Sequence, residues 1–509
     1  MLSVSGCRGV VGQTLTPETI ARFAGSFAAF LRERAAGRPC TVVLGRDGRA
    51  GGTMVRDAAA SGLAASGCNV IDLGVAMTPT IAIATDSYAR GEGSLAQASP
   101  GLVAGMVITA SHNPQQWNGL KCLWADTASP AFAQGFGSAA CAPPADLASE
   151  IISRFQTTAP AAVAWNLVGT VRTDNDAHES HVNRLMGALE AAGLSPLPSR
   201  LANGLKIALD SINSSGCGAG LLCLESLGCD EVLQLNGEQT GLFSHPPEPT
   251  RDNLAAPGGL CDAVRASGCD VGFAQDPDAD RLAIIDERGR YIGEEYTLAL
   301  SALALLEAHK RSGAAHTGRL LFATNLSTSR MLDDIAARYG ASVLRTPVGE
   351  AHVVSAMKQA AAAGDTIVCG GEGNGGTIWP RTTYVRDSLS SMALVLWLIS
   401  EQGLNRGRKT PLSEIITTFP TYAIEKRKVD LARRDDAAPK LANLARHFAS
   451  HTVDQRDGVW INITSGPLAG KAWLHVRASN TEPVMRLIAE APNAAEANAL
   501  LDDAARAMA

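Results

Sequence analysis

The sequence predicts an α/β protein of four domains, three of them alike with mixed, largely parallel sheets and the last a smaller α+β domain. Three observations predict it. A length of 509 residues is more than one compact core accommodates. Three segments repeat one pattern, a β-branched strand followed by a small polar loop and a helix. The final stretch changes character, to short strands and an Ala-rich closing helix.

In the first repeat, Thr41-Val42-Val43-Leu44-Gly45-Arg46-Asp47 reads as a strand that leads through Gly48-Arg49 into a helix over residues 54–66. In the second, Lys206-Ile207-Ala208-Leu209-Asp210 leads through residues 211–216 into a helix ending near Gly228. In the third, Leu320-Leu321-Phe322-Ala323-Thr324-Asn325 leads through Leu326-Ser327-Thr328 into a helix over residues 331–339. Near-continuous apolar strands alternating with helices belong to sheets covered on both faces. Residues 460–463, 472–476 and 485–488 read as short antiparallel strands, with a helix over 494–508. Composition and loop signals divide the chain into 1–165, 166–294, 295–412 and 413–509. Residues 88–101 and 125–148, the latter rich in Ala, Pro, Gly and Ser, read as surface insertions.

The bulk properties exclude several classes. With 46% hydrophobic and 18% charged residues, the chain is not disordered. A net charge of −6 offers no footprint for nucleic acid. The run Glu425-Lys426-Arg427-Lys428 is short and reads as a solvated face. The N-terminus lacks a basic and apolar leader, and the most apolar stretch, 392–399, is far shorter than the ~20 residues of a membrane span. A soluble, cytoplasmic protein with no membrane partner is expected. Eleven cysteines at irregular spacing, without a Cys-x-x-Cys pair, predict buried reduced thiols rather than disulfides or zinc.

Four loops carry chemistry. Thr109-Ala110-Ser111-His112-Asn113-Pro114 follows the apolar run Met106-Val107-Ile108, which displays a serine at a strand's carboxyl end as a nucleophile or phosphate carrier. Asp276-Pro277-Asp278-Ala279-Asp280-Arg281 alternates three carboxylates, hard oxygen ligands that in an extended loop turn toward one point and suit Mg²⁺. An EF-hand is the competing reading, since Glu287 falls twelfth from Asp276, but Arg281 stands where that loop needs glycine. A solvated acidic turn is the other reading, set against the mutual repulsion of unpaired carboxylates. In Gly370-Gly371-Glu372-Gly373-Asn374-Gly375-Gly376, Glu372 and Asn374 lie two apart and suit vicinal hydroxyls or an amino group; an ordinary flexible loop is the alternative. Arg477-Ala478-Ser479-Asn480-Thr481-Glu482-Pro483 reads as an anion cradle for phosphate, or as a helix cap.

These loops, with Ser5-Gly6-Cys7-Arg8-Gly9 ahead of them, resemble in content and order the signatures of the α-D-phosphohexomutase superfamily, whose members interconvert 1- and 6-phosphosugars. The resemblance spans nearly the whole chain. It implies a heart-shaped molecule with one signature loop per domain around a central cleft. It implies Ser111 as the phosphoserine, and Asp276, Asp278 and Asp280 as Mg²⁺ ligands with an oxygen on Ser111 completing the site. Arg8, Lys121 and Arg281 match positions that assist phosphoryl transfer, Lys121 being the favoured general base. Glu372, Gly373 and Asn374 fall in the sugar-selecting loop, and Arg477, Ser479, Asn480 and Thr481 in the distal phosphate clamp. The implied partners are hexose phosphates, a catalytic sugar 1,6-bisphosphate among them, bound by a monomer or homodimer.

Many bacterial phosphoglucomutases, phosphomannomutases and phosphoglucosamine mutases carry serine where Asn374 stands and histidine where Gly376 stands. The loop here is similar to that of archaeal-type members, several of them assigned as phosphoglucosamine mutases. His112 and His352 are the candidates to stand in for the missing histidine. Asn beside Glu also occurs in acetylglucosamine-phosphate mutases. The resemblance thus favours glucosamine 6-phosphate as substrate, with a phosphomannomutase/phosphoglucomutase of relaxed specificity as the alternative. A non-catalytic sugar-phosphate binder and a phosphatase are two further readings.

Overall fold

The computed structural model describes residues 2–3, 6–96, 101–125, 127, 140–195, 197–313, 318–405, 407–479 and 483–508. It contains four sheets with helices packed against them. The first runs in the order Leu2–Ser3, Gly6–Val10, Trp117–Ala125, Leu102–Ile108, Cys40–Arg46, Asn69–Val75, Val171–Thr173. Cys40–Arg46 is parallel to both its neighbours, whereas Trp117–Ala125 is antiparallel to both of its own. The sheet therefore takes in Val171–Thr173, beyond residue 165.

The second and third sheets share one plan. Glu231–Leu235, Lys206–Asp210 and Val271–Gln275 are parallel, and Leu282–Asp286 returns antiparallel on the edge. Ser342–Thr346, Leu320–Asn325 and Thr366–Glu372 repeat this, with Gly376–Ile378 returning. The two sheets share one apolar core through the helices Glu295–Ser312 and Ser388–Ile399. Every residue of Ser388–Ile399 is buried, and Asp387 caps its first turn by accepting from the backbone of Leu389 and Ser390. The fourth sheet, Ala423–Asp430, Val484–Ala491, Trp473–Ala478, Val459–Asn462 and Thr452–Asp454, is antiparallel throughout and has a core of its own with the helix Ala494–Met508.

Two expectations need correction. Tyr88 is not on a surface insertion: it lies in the helix Thr78–Ala89, is buried, and donates to Asp174 Oδ2 at 2.7 Å. Ala140–Cys141, inside the second supposed insertion, is a buried strand on the edge of the first sheet. Residues 126 and 128–139 of that supposed insertion lie outside the described residues. The run 425–428 forms part of the edge strand Ala423–Asp430, where Lys426 and Lys428 are exposed, as expected, and Lys426 Nζ pairs with Glu294 Oε1 at 2.5 Å. All eleven cysteines are free and buried. Among the described residues no helix is long and apolar enough to cross a membrane.

Candidate active site

The serine loop is held from behind. Ser111 is buried and left-handed, with φ 52°, a conformation that costs a non-glycine residue energy and persists only where neighbours enforce it. Its N–H donates to Thr109 Oγ1 at 2.8 Å, and Thr109 Oγ1 donates to Asp47 Oδ2 at 2.7 Å. Arg49, itself buried, pairs with Asp47 at 3.0 Å and donates to the carbonyls of Ser111, Asn113 (3.0 Å) and Pro114 (2.8 Å). Motif reading missed both residues. Their only signal is position, at the carboxyl end of the strand beside the one that carries Ser111.

Ser111 Oγ donates to Asp276 Oδ2 at 3.3 Å and lies 3.3 Å from His112 Nδ1. The metal-candidate loop is a tight turn between antiparallel strands, not an extended loop. Ala279 is left-handed, with φ 52°, and its N–H donates to the Asp276 carbonyl at 2.9 Å. Strands on both flanks exclude the helix–loop–helix of an EF-hand. Asp276, Asp278 and Asp280 still bring ligand oxygens within 4.8 Å of one another, all three buried. Burial, then repulsion from Asp278 and Asp280, pushes the Asp276 carboxyl well above its usual range. Burial opposes ionisation of Asp278 too, but the Lys121 ammonium and hydrogen bonds from Lys121 and Thr78 hold it below its usual range. Asp278 Oδ1 and Asp280 Oδ1 are buried without a hydrogen-bond partner. Buried oxygens of that kind, beside a repelled third carboxylate, fit a hard divalent cation.

Basic groups surround this centre. Lys121 Nζ sits 2.8 Å from Asp278 Oδ2, and Arg281 Nε 3.8 Å from Asp280 Oδ1. Arg8 pairs in register with Gly119, where burial lowers its guanidinium and the charges of Asp278 and Asp280 raise it. Burial, followed by the charge of Arg281, pushes His112 down to about 3, so its imidazole is neutral. His352 is exposed on the helix Glu350–Ala362.

The glycine-rich segment is a tight hairpin, with Glu372 opposite Gly376, rather than a flexible loop. Gly371 has φ 151°, and a Cβ there would meet the Gly376 carbonyl at 2.1 Å, so this turn requires glycine. Glu372 Oε1 accepts from Asn325 Nδ2 at 2.8 Å, and the buried Asn374 Oδ1 has no hydrogen-bond partner. A Cβ on Gly373 would meet both carboxylate oxygens of Glu295 at 2.1 Å. Arg386, also missed from sequence, ties the hairpin to the aspartate turn: it reaches Asp280 Oδ2 at 2.6 Å and Glu372 Oε2 at 3.0 Å. Nothing local marks it; the signal is only that Arg386-Asp387 precedes a helix whose later turns are wholly apolar.

In the fourth loop, Arg477 Nε lies 3.5 Å from Asp457 Oδ1. Asp457 Oδ2 accepts from the Val348 N–H at 2.9 Å, and the adjacent Gly349 N–H donates to Glu372 Oε1 at 3.3 Å. Short contacts thus lead from Arg477 to the hairpin. Ser479 N–H donates to the Val484 carbonyl at 2.9 Å. Asn480 and Thr481 lie outside the described residues, as does Ser5.

Four family models match in order. Phosphoglucomutase/phosphomannomutase alpha/beta/alpha domain I covers residues 2–135, domain II 189–289, domain III 294–422 and the C-terminal domain 428–507. A phosphoglucomutase/phosphomannomutase of Thermococcus kodakarensis is 33% identical over 98% of this chain and 96% of its own. A probable phosphoglucosamine mutase of Methanopyrus kandleri is 32% identical over 98% and 95%. Among solved structures, a phosphoglucomutase/phosphomannomutase family protein from Burkholderia thailandensis superposes with a TM-score of 0.72 at 23% identity, covering 100% of this chain and 98% of that one. An N-acetylphosphoglucosamine mutase of Aspergillus fumigatus, crystallised with GlcNAc-6P and magnesium, superposes with a TM-score of 0.58 at 14% identity, covering 96% of each chain. With a fold of four matching domains and full-length relatives at this identity, the chain belongs to the phosphoglucomutase/phosphomannomutase family of the α-D-phosphohexomutase superfamily, and it is a phosphohexomutase.

Proposed function

We propose that the protein interconverts hexose 6-phosphate and hexose 1-phosphate through phosphorylated Ser111 and a sugar 1,6-bisphosphate, with glucosamine phosphate as the preferred sugar. The observation that carries this reading is Ser111 Oγ, 3.3 Å from Asp276 and beside two buried aspartate oxygens without hydrogen bonds. Asp276, Asp278 and Asp280 would hold Mg²⁺, which supplies charge neutralisation at the transferring phosphoryl group.

Phosphoryl transfer depends on positioning and charge more than on covalent help. The bond between phosphorus and Ser111 Oγ breaks as a sugar hydroxyl oxygen attacks in line, and that hydroxyl's proton passes to a base. Lys121, on the strand beside the serine loop, takes that role in its uncharged amine form, after giving up the proton it shares with Asp278. Arg281 and Arg8 balance the charge gathering on the phosphoryl oxygens. Ser111 Oγ leaves with the electron pair of that bond and the negative charge. The bisphosphate then turns end over end and returns its other phosphoryl group to Ser111. Arg477 and Ser479, with Asn480 and Thr481, hold the phosphate that is not reacting, while Glu372 and Asn374 meet the sugar hydroxyls or the amino group.

The amino-sugar preference draws on the hairpin pair Glu372 and Asn374 and on relatives named probable phosphoglucosamine mutase at 28–32% identity. The relative named phosphoglucomutase/phosphomannomutase supports the second reading, a neutral-sugar mutase of relaxed specificity. Coupled assays on glucosamine 6-phosphate, glucose 1-phosphate and mannose 1-phosphate, with catalytic bisphosphate present, separate the two. Free phosphate without isomerised sugar would defeat the mutase reading altogether. Intact-mass analysis should show a form ~80 Da heavier, as expected of a phosphoserine, that disappears in Ser111→Ala together with turnover.

A further inference from the structure

Gly376 has no room for a side chain because another residue fills the space. A Cβ there would lie 2.2 Å from Arg386 Cδ and 2.8 Å from its Cγ, so the arginine stem crosses the hairpin where residue 376 would project. The guanidinium then meets three carboxylates from three elements. Nη2 is 2.6 Å from Asp280 Oδ2 in the aspartate turn, and Nη1 is 3.0 Å from Glu372 Oε2 on the hairpin. Nε is 2.9 Å from Glu350 Oε2 at the start of the helix Glu350–Ala362. Arg386 is only 9% exposed, and in so dry a site a charge-assisted contact is strong and directional.

The surrounding main chain keeps these partners in register. Leu282 N–H donates to the Gly375 carbonyl at 2.9 Å, which joins the strand after the aspartate turn to the hairpin. Ser388 Oγ donates to the Ala279 carbonyl at 2.7 Å, which joins the segment carrying Arg386 to the same turn. Held by Asn325 through Oε1 and by Arg386 through Oε2, the Glu372 carboxylate cannot rotate. It therefore offers fixed lone pairs to whatever enters the site.

We propose that Arg386 is a positioning residue for sugar selection, setting the Glu372 carboxylate against the aspartate turn from outside the hairpin, in the space a side chain at 376 would take. This rests on the reading above that Glu372 meets the sugar. Arg386 acts through Glu372, so the sign of its effects differs from that of a scaffold residue. Removing a cation beside Asp280 leaves the aspartate turn more negative, which retains or tightens Mg²⁺, while a freed Glu372 binds sugar poorly.

The test uses the full-length protein with Arg386→Met, Arg386→Lys, Gly376→Ala and the double variant Gly376→Ala/Arg386→Met. Steady-state kinetics, calorimetric Mg²⁺ binding and thermal melting are measured on each. Arg386→Met should raise KM for the hexose phosphate about tenfold or more, the worth of one charge-assisted contact, with Mg²⁺ affinity equal to or above wild type. Arg386→Lys should remain impaired, because a point charge cannot span the same carboxylates. Gly376→Ala, by displacing the stem, should raise KM as well, and the double variant should be no worse than Arg386→Met alone. An unchanged KM in Arg386→Met overturns the proposal, as does additive damage in the double variant. Loss of Mg²⁺ binding together with a lower melting temperature also overturns it, since that marks a scaffold. A wild type lacking the phosphoserine mass would sink the mutase mechanism instead, which keeps the two failures distinct.

Discussion

Arg49 commits its guanidinium to Asp47 and to three carbonyls of the serine loop, so with Thr109 and Asp47 it enforces the left-handed Ser111. Arg49→Met leaves Asp47 buried without its cation, a loss of about 3–5 kcal/mol for such pairs. It also frees the loop, and a displacement near 1 Å costs about 100-fold in rate. Both a lower melting temperature and a lower kcat are therefore expected; wild-type kcat in a destabilised variant would refute the positioning part. Glu295 gives a pH prediction. Burial, with repulsion from Glu294 and Glu490, holds its carboxyl well above the ordinary range. The folded state thus binds the proton more tightly. Stability is complete below the unfolded value of about 4.3 and falls as pH rises toward the folded value, by up to about 1.4 kcal/mol per pH unit. Glu295→Gln, whose amide oxygen can still accept from Ser329 N–H, should melt higher than wild type by a margin that widens as the pH is raised above the unfolded value. A constant margin would contradict this. The motif residues were legible because spacing within a short loop displays them. Arg49 and Arg386 were not, because Ser111 and Asp280, to which they donate, lie 62 and 106 positions away in the chain.

Among the elements, the helix Ser388–Ile399 shows what periodicity hides. Buried all round, with its serines confined to the first turn, it presents no amphipathic signal, and in the sequence its run 392–399 stands out only as too short to span a membrane. In the structure it fills the core shared by the second and third sheets, and its cap Asp387 also meets the buried His181 ring at 3.3 Å. Asp387→Ala removes the cap, about 0.5–2 kcal/mol, and strands that ring. Asp387→Asn keeps a capping oxygen and should lose less. Urea denaturation distinguishes them, and equal losses would show that the cap contributes nothing. The strand–loop–helix repeats were readable because β-branched runs and small polar loops are local. The two-residue strand Ala140–Cys141 was not, since pairing on a sheet edge leaves no mark in so short a segment.

Across the whole molecule, the fourth domain stands apart. It has a separate core, and it meets the third domain through polar contacts: Ser327 Oγ with His475 Nδ1 at 2.7 Å, Val348 N–H with Asp457 at 2.9 Å, and Arg330 with Asn462 at 2.8 Å. Polar contacts of this kind can open and re-form, as the proposed turn-over of a bisphosphate intermediate requires. Hydrogen exchange should slow at Ser327–Arg330 and around Asp457 when a sugar bisphosphate binds, while Asp387 to Ile399 stay protected in both states. Uniform protection with and without bisphosphate would count against such a hinge. The division into repeated domains was visible in the sequence, but the fusion of the second and third through one core was not, because the helices that bridge them carry no mark of which sheet they serve.

The eleven concealed thiols have a practical consequence. All eleven are screened by burial, and burial raises those of Cys122, Cys223 and Cys369 far beyond the ordinary thiol range, so alkylating dyes find few native thiols within reach. A cysteine engineered at an exposed site on the first domain and another on the last would then be the fast-reacting handles. Fluorophores attached to that pair would test in single molecules whether the last domain moves, without stripping out any natural residue.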